Sequence, residues 1–299
     1  MGVTDAGAGR RVSVLGARSL VGACLLPLLT QAGWQVTAYS RRAAGRTVDG
    51  VAWRRIGDAP SAPATPLGEG NSSDWICLAP IWVLPEHFAT LEVQGARRVV
   101  VLSSTGRFTK NDSSDPEEQA VARRLAEAEA RVQAWAESRG VEWVILRPTL
   151  IYGLGRDRNI AEIARFIRRF GFFPVFGKAE GLRQPIHAED VAGACVAALQ
   201  APGAANRAYN LSGGEALAYR DMVARIFAAL GREPRLMHVP LPVFRVAIAL
   251  MRCLPRYRHW SAVMAERMNR DLVFDHAEAA RDLGFKPRAF VLAAGDLPL

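Results

Sequence analysis

The chain has 299 residues, of which 50% are apolar and 22% are charged, and this composition indicates a folded globular protein rather than a disordered one. The formal net charge is +9, with +7 over residues 151–299 (21 basic, 14 acidic) and +2 over residues 1–150 (17 basic, 15 acidic). A basic second half favours anionic ligands such as phosphates or nucleotide-sugars, while an arginine-rich composition would explain the charge equally well.

Short apolar runs alternate with helical patterns along the chain, which is typical of a parallel sheet with crossover helices. In chain order we predict a strand at Arg11–Leu15, a helix at Leu20–Gln31, strands at Gln35–Tyr39 and Val51–Ile56, a loop at 57–73, strands at Trp75–Ala79 and Arg98–Leu102, a helix at Asp115–Arg139, a strand at Val141–Leu146, helices at Ile160–Phe170 and Val191–Leu199, a strand at Ala208–Leu211 and a helix at Tyr219–Leu230. The fold class is therefore α/β, a Rossmann-type doubly wound parallel sheet with a smaller, mostly helical C-terminal lobe.

This pattern also predicts two lobes. Residues 1–150 and about 191–212 form the Rossmann domain, and about 151–190 and 213–299 form the smaller lobe. The ligand cleft is expected between them, at the carboxyl ends of the strands.

The turn after the first strand carries the strongest local signal. Gly16 lets the chain turn sharply, and Gly22 lets the following helix pack close to the strands. The backbone amides around Arg18, Ser19 and Leu20 stand at the helix N-terminus, where they and the helix dipole attract a diphosphate. Ser19 replaces the middle glycine of the usual motif, and its hydroxyl can donate to a phosphate. A plain strand–helix turn is the alternative interpretation.

The residues at the end of the second strand determine which dinucleotide is preferred. An acidic residue there would hold a free ribose 2′-hydroxyl and select NAD. Here the segment reads Ser40-Arg41-Arg42, with no acid. Arg41 and Arg42 can pair with a 2′-phosphate and Ser40 can add a hydrogen bond, so the sequence favours NADP, with NAD as the alternative. The alternative is that both arginines are solvated and contact no cofactor.

Several further motifs occur in a fixed order. They are Gly57-Asp58, Leu78-Ala79-Pro80, Leu102-Ser-Ser-Thr105-Gly106, Leu146-Arg-Pro148 with Tyr152-Gly153, Gln184-Pro-Ile-His187 with Asp190-Val191, and Tyr209-Asn-Leu-Ser-Gly-Gly214. With the glycine turn, they make the chain resemble the extended short-chain dehydrogenase/reductase superfamily, in its NAD-dependent epimerase/dehydratase group. The resemblance covers most of residues 11–230.

The resemblance implies roles for individual residues. Asp58 would contact the adenine, Ala79 and Pro80 would pass under the nicotinamide ribose, and Pro148 would lie near the nicotinamide. Thr105 would be the catalytic hydroxyl that donates to a substrate carbonyl, with a strand-end cap as the alternative.

One departure from the family is plain. The family's proton relay is Tyr-x-x-x-Lys, and none of the five tyrosines has a lysine four residues later. The family's spacing would place the pair near Val121 and Leu125, or near Gln119 and Arg123 with a shorter loop. The chain is therefore expected to be an atypical member.

Three residues are candidates for substrate contact: Lys110, which can reach the same cleft, Tyr152 in the Tyr-Gly stretch, and Arg183, which can hold a phosphate. The five histidines show no metal-binding spacing.

We expect an NADP-dependent oxidoreductase or epimerase that acts on an anionic carbonyl or sugar-nucleotide substrate. The alternative is a non-catalytic NADP(H)-binding protein with a redox-sensing or structural role. The absent relay favours the alternative, whereas the motifs around the cleft favour an enzyme. No nucleic-acid motif, signal pattern or membrane-spanning apolar run is present, so a cytoplasmic location is expected.

Overall fold

The structure, a computed structural model, describes residues 10–41, 50–56, 73–111, 113–239 and 267–298. Its strands are β1 (Arg11–Leu15), β2 (Gln35–Ser40), β3 (Val51–Arg55), β4 (Asp74–Cys77), β5 (Arg98–Leu102), β6 (Glu142–Pro148), β7 (Ile151–Tyr152), β8 (Phe173–Phe176), β9 (Leu182–Arg183), β10 (Ile186–His187), β11 (Arg207–Leu211), β12 (Leu217–Ala218) and β13 (Leu236–Val239).

Its α-helices are α1 (Leu20–Gln31), α2 (Phe88–Val93), α3 (Gly106–Thr109), α4 (Pro116–Arg139), α5 (Ile160–Phe170), α6 (Ala188–Gln200), α7 (Tyr219–Ala229) and α8 (Ala277–Leu283). Within the described residues, three 3₁₀ segments lie at Ile81–His87, Pro202–Ala204 and Ala294–Asp296. None of the helices within the described ranges is long and apolar enough to cross a membrane.

Seven parallel strands form the main sheet in the order β11-β6-β5-β4-β1-β2-β3. Strands β2 and β3 are added in chain order on one side of β1, and strands β4, β5, β6 and β11 are added in chain order on its other side. The order therefore reverses between β1 and β4, and ligands of such sheets bind in the crevice outside the strand ends at that point. The predicted fold class, a Rossmann-type doubly wound sheet, is confirmed.

Both faces of this sheet are covered, as expected of parallel strands with continuous apolar runs. On one face α1 packs against α6, and on the other the first 3₁₀ segment packs against α4. Strand β5 is buried at every position, which is why its sequence, RVVVL, shows no alternation of polar and apolar residues.

Helix α4 has the boundaries that its end signals predict. Asp115 caps the N-terminus by accepting a hydrogen bond from the Glu117 amide at 2.9 Å, and Pro116 occupies the first helical position. Gly140 ends the helix in the left-handed conformation, with φ of +65°. These caps fix the register of a helix whose inner face forms one side of the cleft.

A second apolar core lies between α5, α7 and the C-terminal segment, around residues such as Phe227 and Phe290. Around it the structure forms three two-stranded sheets that the sequence did not predict, β7 with β10, β9 with β12, and β8 with β13. Four of these six strands are two residues long, which is too short for any alternation to be visible in a sequence.

Candidate functional site

The turn between β1 and α1 holds the backbone against the next strand. Gly16 has a φ of +78°, and a Cβ on it would lie 2.5 Å from the Ala79 nitrogen. A Cβ on Gly22 would lie 2.2 Å from the Ala17 carbonyl oxygen. Both distances are too short for any side chain, so the two glycines are required by packing, the first to turn the chain and the second to seat α1.

The N-terminus of α1 opens onto the cleft. Ser19 is its capping residue, and the Ser19 hydroxyl accepts a hydrogen bond from the Gly22 amide at 3.1 Å. The hydroxyl proton remains able to donate, and the first-turn amides of Leu20 and Val21 have no partner within the helix. The first turn of α1 holds no acidic side chain. An anion is therefore favoured here by amides, dipole and the absence of like charge.

A cleft of about 350 Å³ lies at the strand ends where the sheet order reverses. Its lining brings together residues from the first turn of α1, the end of β4, the end of β5, α4 and the end of β6. The residues with predicted cofactor contacts among them are Ser19, Leu20, Ala79, Pro80 and Pro148. The turn glycine Gly16 lies directly behind Ala79. An elongated ligand with a diphosphate at α1 would thus extend toward Pro148.

The remaining cofactor residues lie near the ends of β2 and β3. Ser40 ends β2 and is buried, while Arg41 follows it on the surface. The Arg18 guanidinium lies over the Trp53 ring, 5.9 Å from its centroid, and so reaches toward β3 from the glycine turn. Two positive charges, on Arg18 and Arg41, therefore lie near the ends of β1 and β2. Arg42 and Asp58 lie outside the described residues.

Helix α4 carries both positions that the family's spacing predicts for the proton relay. In the pair Val121 and Leu125, Leu125 lines the cleft with Pro148 and is 5% exposed. In the pair Gln119 and Arg123, Arg123 is exposed, and the Gln119 side chain donates to the Ser113 carbonyl at 2.9 Å. Which pair matches the relay stays a prediction, and neither contains a tyrosine or a lysine.

Three hydroxyls follow β5, and they face different surroundings. Ser103 and Ser104 line the cleft. Thr105 is buried, and its hydroxyl and amide both donate to the Pro148 carbonyl at 3.2 Å, which is the arrangement expected of a strand-end cap. The catalytic role of Thr105 stays a prediction. Ser104, which the sequence motif also contains, lines the cleft, and its hydroxyl does not donate to Glu129 as the Ser103 hydroxyl does.

The Ser104 side chain is oriented so that its hydroxyl can donate a hydrogen bond. Its Oγ accepts a hydrogen bond from the Gly106 amide at 3.0 Å, and this contact fixes the side-chain rotamer. The hydroxyl proton is then available to a ligand in the cleft.

A buried charge cluster lies directly below this corner of the cleft. The Glu129 carboxylate, fully buried on α4, accepts from the Ser103 hydroxyl at 2.5 Å and from Arg147 at 2.6 Å, and it also pairs with Arg107. Two guanidinium groups and one hydroxyl thus satisfy one carboxylate. The cluster joins β5, α3, α4 and β6 and carries one net positive charge. No sequence motif predicts this cluster.

The three candidate substrate residues do not converge. Tyr152 is fully buried, its hydroxyl donates to the Val291 carbonyl at 3.3 Å, and burial raises its pKa to about 12. Arg183 is buried and donates to the carbonyls of Leu182 and Arg270, and burial lowers its pKa to about 10. Both side chains are engaged in holding the fold. Lys110 lies next to Ser104, at the end of α3.

Comparison with known proteins agrees with this geometry. Residues 88–212 match the family model described as NAD dependent epimerase/dehydratase family. Residues 88–212 are thus similar to this family. The match includes the ends of β5 and β6 and the whole of α4, which are the elements that line the cleft away from the glycine turn.

Among curated relatives, UDP-glucose 4-epimerase of Vibrio cholerae is 24% identical over 180 residues, which are 60% of this chain and 52% of the relative. A mitochondrial protein of Arabidopsis thaliana, NADH dehydrogenase (ubiquinone) 1 alpha subcomplex subunit 9, is 28% identical over 109 residues, 36% of this chain and 27% of the relative. The matched part of the chain thus spans about half or less of these relatives.

Among solved structures, UDP-glucuronic acid 4-epimerase from Bacillus cereus, in complex with NAD, superposes with a TM-score of 0.68. The alignment covers 96% of this chain and 95% of that one at 12% identity. At this identity the likeness shows a shared fold.

The glycine turn yields a matched pair of variants. Gly16→Ala and Gly33→Ala both place a side chain at a positive φ, of +78° and +77°, but a Cβ on Gly33 meets nothing within 4 Å. Gly33→Ala should lower the free energy of unfolding by about 1 kcal/mol and leave NADPH affinity unchanged. Gly16→Ala should destabilise more and weaken NADPH binding at least tenfold, measured by calorimetric titration of the folded variant. Unchanged affinity in Gly16→Ala would place the dinucleotide elsewhere.

Proposed function

We propose that this chain binds NADP in the cleft at the β1–β4 reversal and acts as an oxidoreductase or epimerase on an anionic carbonyl or sugar-nucleotide substrate. The observation that carries the proposal is the cleft itself. It begins at an acid-free helix N-terminus behind two glycines that packing requires, and it ends between the Ser104 hydroxyl and Pro148. This is the shape and polarity that a dinucleotide needs.

The chain's own residues would hold this cofactor in stages. The Leu20 and Val21 amides and the Ser19 hydroxyl bind the diphosphate, and Ala79 and Pro80 border the ribose beyond it. Bound nicotinamide supplies or accepts a hydride. The apolar lining toward Pro148 excludes water from that end of the cleft, which strengthens any hydrogen bond that Ser104 makes to a substrate oxygen.

The preference for NADP rests on charge at the far end of the cleft. No acid directly follows β2 in the sequence to accept a 2′-hydroxyl, and the sequence has Arg41 and Arg42 there, whose guanidinium groups can pair with a 2′-phosphate. Arg18, stacked over Trp53, adds a third positive charge from the neighbouring turn. Asp58 remains assigned to the adenine by the family resemblance alone.

The substrate class follows from charge and from the relatives. The two positive charges of Arg107 and Arg147 outnumber the single negative charge of Glu129. This leaves one net positive charge beside the end of the cleft where chemistry would occur. The curated relative from Vibrio cholerae is by name a UDP-glucose 4-epimerase, so its substrate is an anionic sugar-nucleotide. Both observations support an anionic substrate.

A second candidate is a non-catalytic protein that binds NADP(H) to sense redox state or to stabilise an assembly. The specific observation in its favour is Leu125, an apolar residue at one of the predicted relay positions. The Arabidopsis thaliana relative is by name a subunit of NADH dehydrogenase, a protein defined by its assembly. The two candidates share the cofactor and differ in turnover.

Cofactor preference is the first test. NADPH should bind at least several-fold more tightly than NADH, and the double variant Arg41→Gln and Arg42→Gln should remove most of that difference, because each charge-assisted contact contributes ~1.5–3 kcal/mol. Arg11→Gln, at the opposite end of the strands, is the control and should keep the preference. Calorimetric titration measures all three proteins. Equal affinities in the unaltered protein would refute the NADP assignment.

Turnover is the second test, read in single-turnover reactions of NADPH-loaded protein with a panel of carbonyl and nucleotide-sugar substrates. An enzyme should turn over slowly, since general acid–base catalysis is typically worth ~10²–10⁴-fold. Ser104→Ala should then reduce the rate by about 10–100-fold, equivalent to ~1.4–2.7 kcal/mol of barrier. Thr105→Ala is the matched variant, and the larger loss identifies the hydroxyl that contacts the substrate.

The alternative role gives a different pattern. A rise in melting temperature on addition of NADPH, with no oxidation by any substrate, supports the binding protein.

A further inference from the structure

A reaction in this cleft needs a proton where the family's relay would deliver it. Leu125 has no proton to give, and Tyr152 is turned away with its hydroxyl on the Val291 carbonyl. The Glu129 carboxylate is surrounded by donors. The hydroxyl of Ser104 can pass a proton on, but an alcohol needs an acid beside it to replace the proton it gives up.

Lys110 and Ser104 lie on either side of Gly106. A Cβ on Gly106 would lie 3.1 Å from the Ser104 Oγ and 3.7 Å from both the Cδ and the Cε of Lys110. The hydroxyl and the end of the lysine chain therefore border the same small space, which exists because residue 106 is glycine. The Lys110 side chain folds back over the start of α3, so a rotation of its end or one bridging water brings the ammonium to the Ser104 hydroxyl.

The surroundings of Lys110 suit an acid that gives up its proton readily. The side chain is half-buried, and Arg267 approaches it as a like charge, while Glu118 and Asp115 at the start of α4 oppose that effect. Glu118 is itself engaged, since its two oxygens accept from Arg267 and from the Ser113 hydroxyl, each at 2.8 Å. Burial first and then Arg267 lower the pKa of Lys110 from its ordinary value.

We propose that Lys110 is the proton source of this site and that it acts through the Ser104 hydroxyl in place of the absent tyrosine–lysine pair. In the reducing direction, a bound NADPH would supply the hydride for the new C–H bond, and the carbonyl oxygen would take the proton of Ser104. The Ser104 oxygen takes a proton from the Lys110 ammonium, which becomes a neutral amine and is recharged from water. The products are an alcohol and NADP⁺. This inference rests on the enzymatic form of the proposed function.

The composition of the chain permits a direct measurement that needs no substrate. The protein has three lysines, and Lys178 and Lys286 are exposed. Acetic anhydride reacts with neutral amines, so quantitative mass spectrometry of each lysine across a pH series gives the midpoint at which it loses its proton. Lys110 should have a midpoint clearly below those of Lys178 and Lys286, and added NADPH should slow its labelling. A midpoint equal to those of the two exposed lysines would overturn the proposal.

Two variants separate proton donation from simple attraction of an anion. Lys110→Met should reduce the single-turnover rate at least tenfold and abolish the fall in rate that the unaltered protein shows as the pH rises through the Lys110 midpoint. Lys110→Arg keeps the charge but holds its proton at neutral pH. It should retain KM and lose rate as Lys110→Met does. Full rate in Lys110→Arg would mean that Lys110 supplies charge alone, and it would refute the proton-source role.

Lys178→Met, on an exposed loop, is the matched control and should leave rate and pH profile unchanged. Failure of this inference is distinguishable from failure of the proposed function. Undiminished NADPH affinity and turnover in Lys110→Met would overturn the proton source and leave the enzyme in place. Absence of NADPH binding in the unaltered protein would overturn the cofactor assignment itself.

Discussion

Strands β1 and β4 lie side by side at the reversal of the sheet, and at Gly16 the first of them turns into α1 with its backbone against Ala79. No side chain fits between them. The same closeness recurs one turn later, where Gly22 rests against the Ala17 carbonyl. These two contacts direct the N-terminus of α1 into the crevice at the strand ends. The anion-binding amides, and with them the orientation of any dinucleotide, depend on that direction.

The opposite end of the cleft is held by charge instead of close backbone packing. Glu129 gathers Ser103, Arg107 and Arg147 around one buried carboxylate, so the loop after β5 is tied to α4 and β6. A buried charge with all its oxygens satisfied is sensitive to geometry, since the loss of one partner leaves the others uncompensated. The cluster therefore keeps the hydroxyl-bearing loop rigid, while Leu125 makes the adjoining wall apolar. The residues that would bind the cofactor are therefore positioned by packing, and those around the Ser104 loop are positioned by charge.

The sequence predicted the main sheet and the glycine turn well because their signals are local. The apolar run of β1 ends at a glycine, and Asp115, Pro116 and Gly140 bound α4, each for a reason carried by the residue itself. The short strands of the second core pair residues far apart in the chain, and such pairing leaves no local pattern.

The chemistry at the end of β5 was harder to predict. Successive side chains along an extended segment point in opposite directions, so the motif alone does not decide which of Ser104 and Thr105 faces the cleft. Glu129 was missed because α4 carries several glutamates and its polarity hides which one is inside. One signal was available: Glu129 lies four residues after Leu125, and residues at this spacing share a helix face. Leu125 and the buried carboxylate are thus neighbours on α4.

We propose that the N-terminus of α1 holds the diphosphate of a dinucleotide that extends to Ser104, and a crystal structure of the protein with NADPH tests this arrangement most directly. The diphosphate oxygens should lie within hydrogen-bond distance of the Leu20 and Val21 amides. The nicotinamide ring should lie between Ser104, Pro148 and Leu125. Electron density for the diphosphate away from α1, or a nicotinamide ring pointing out of the cleft, would contradict it.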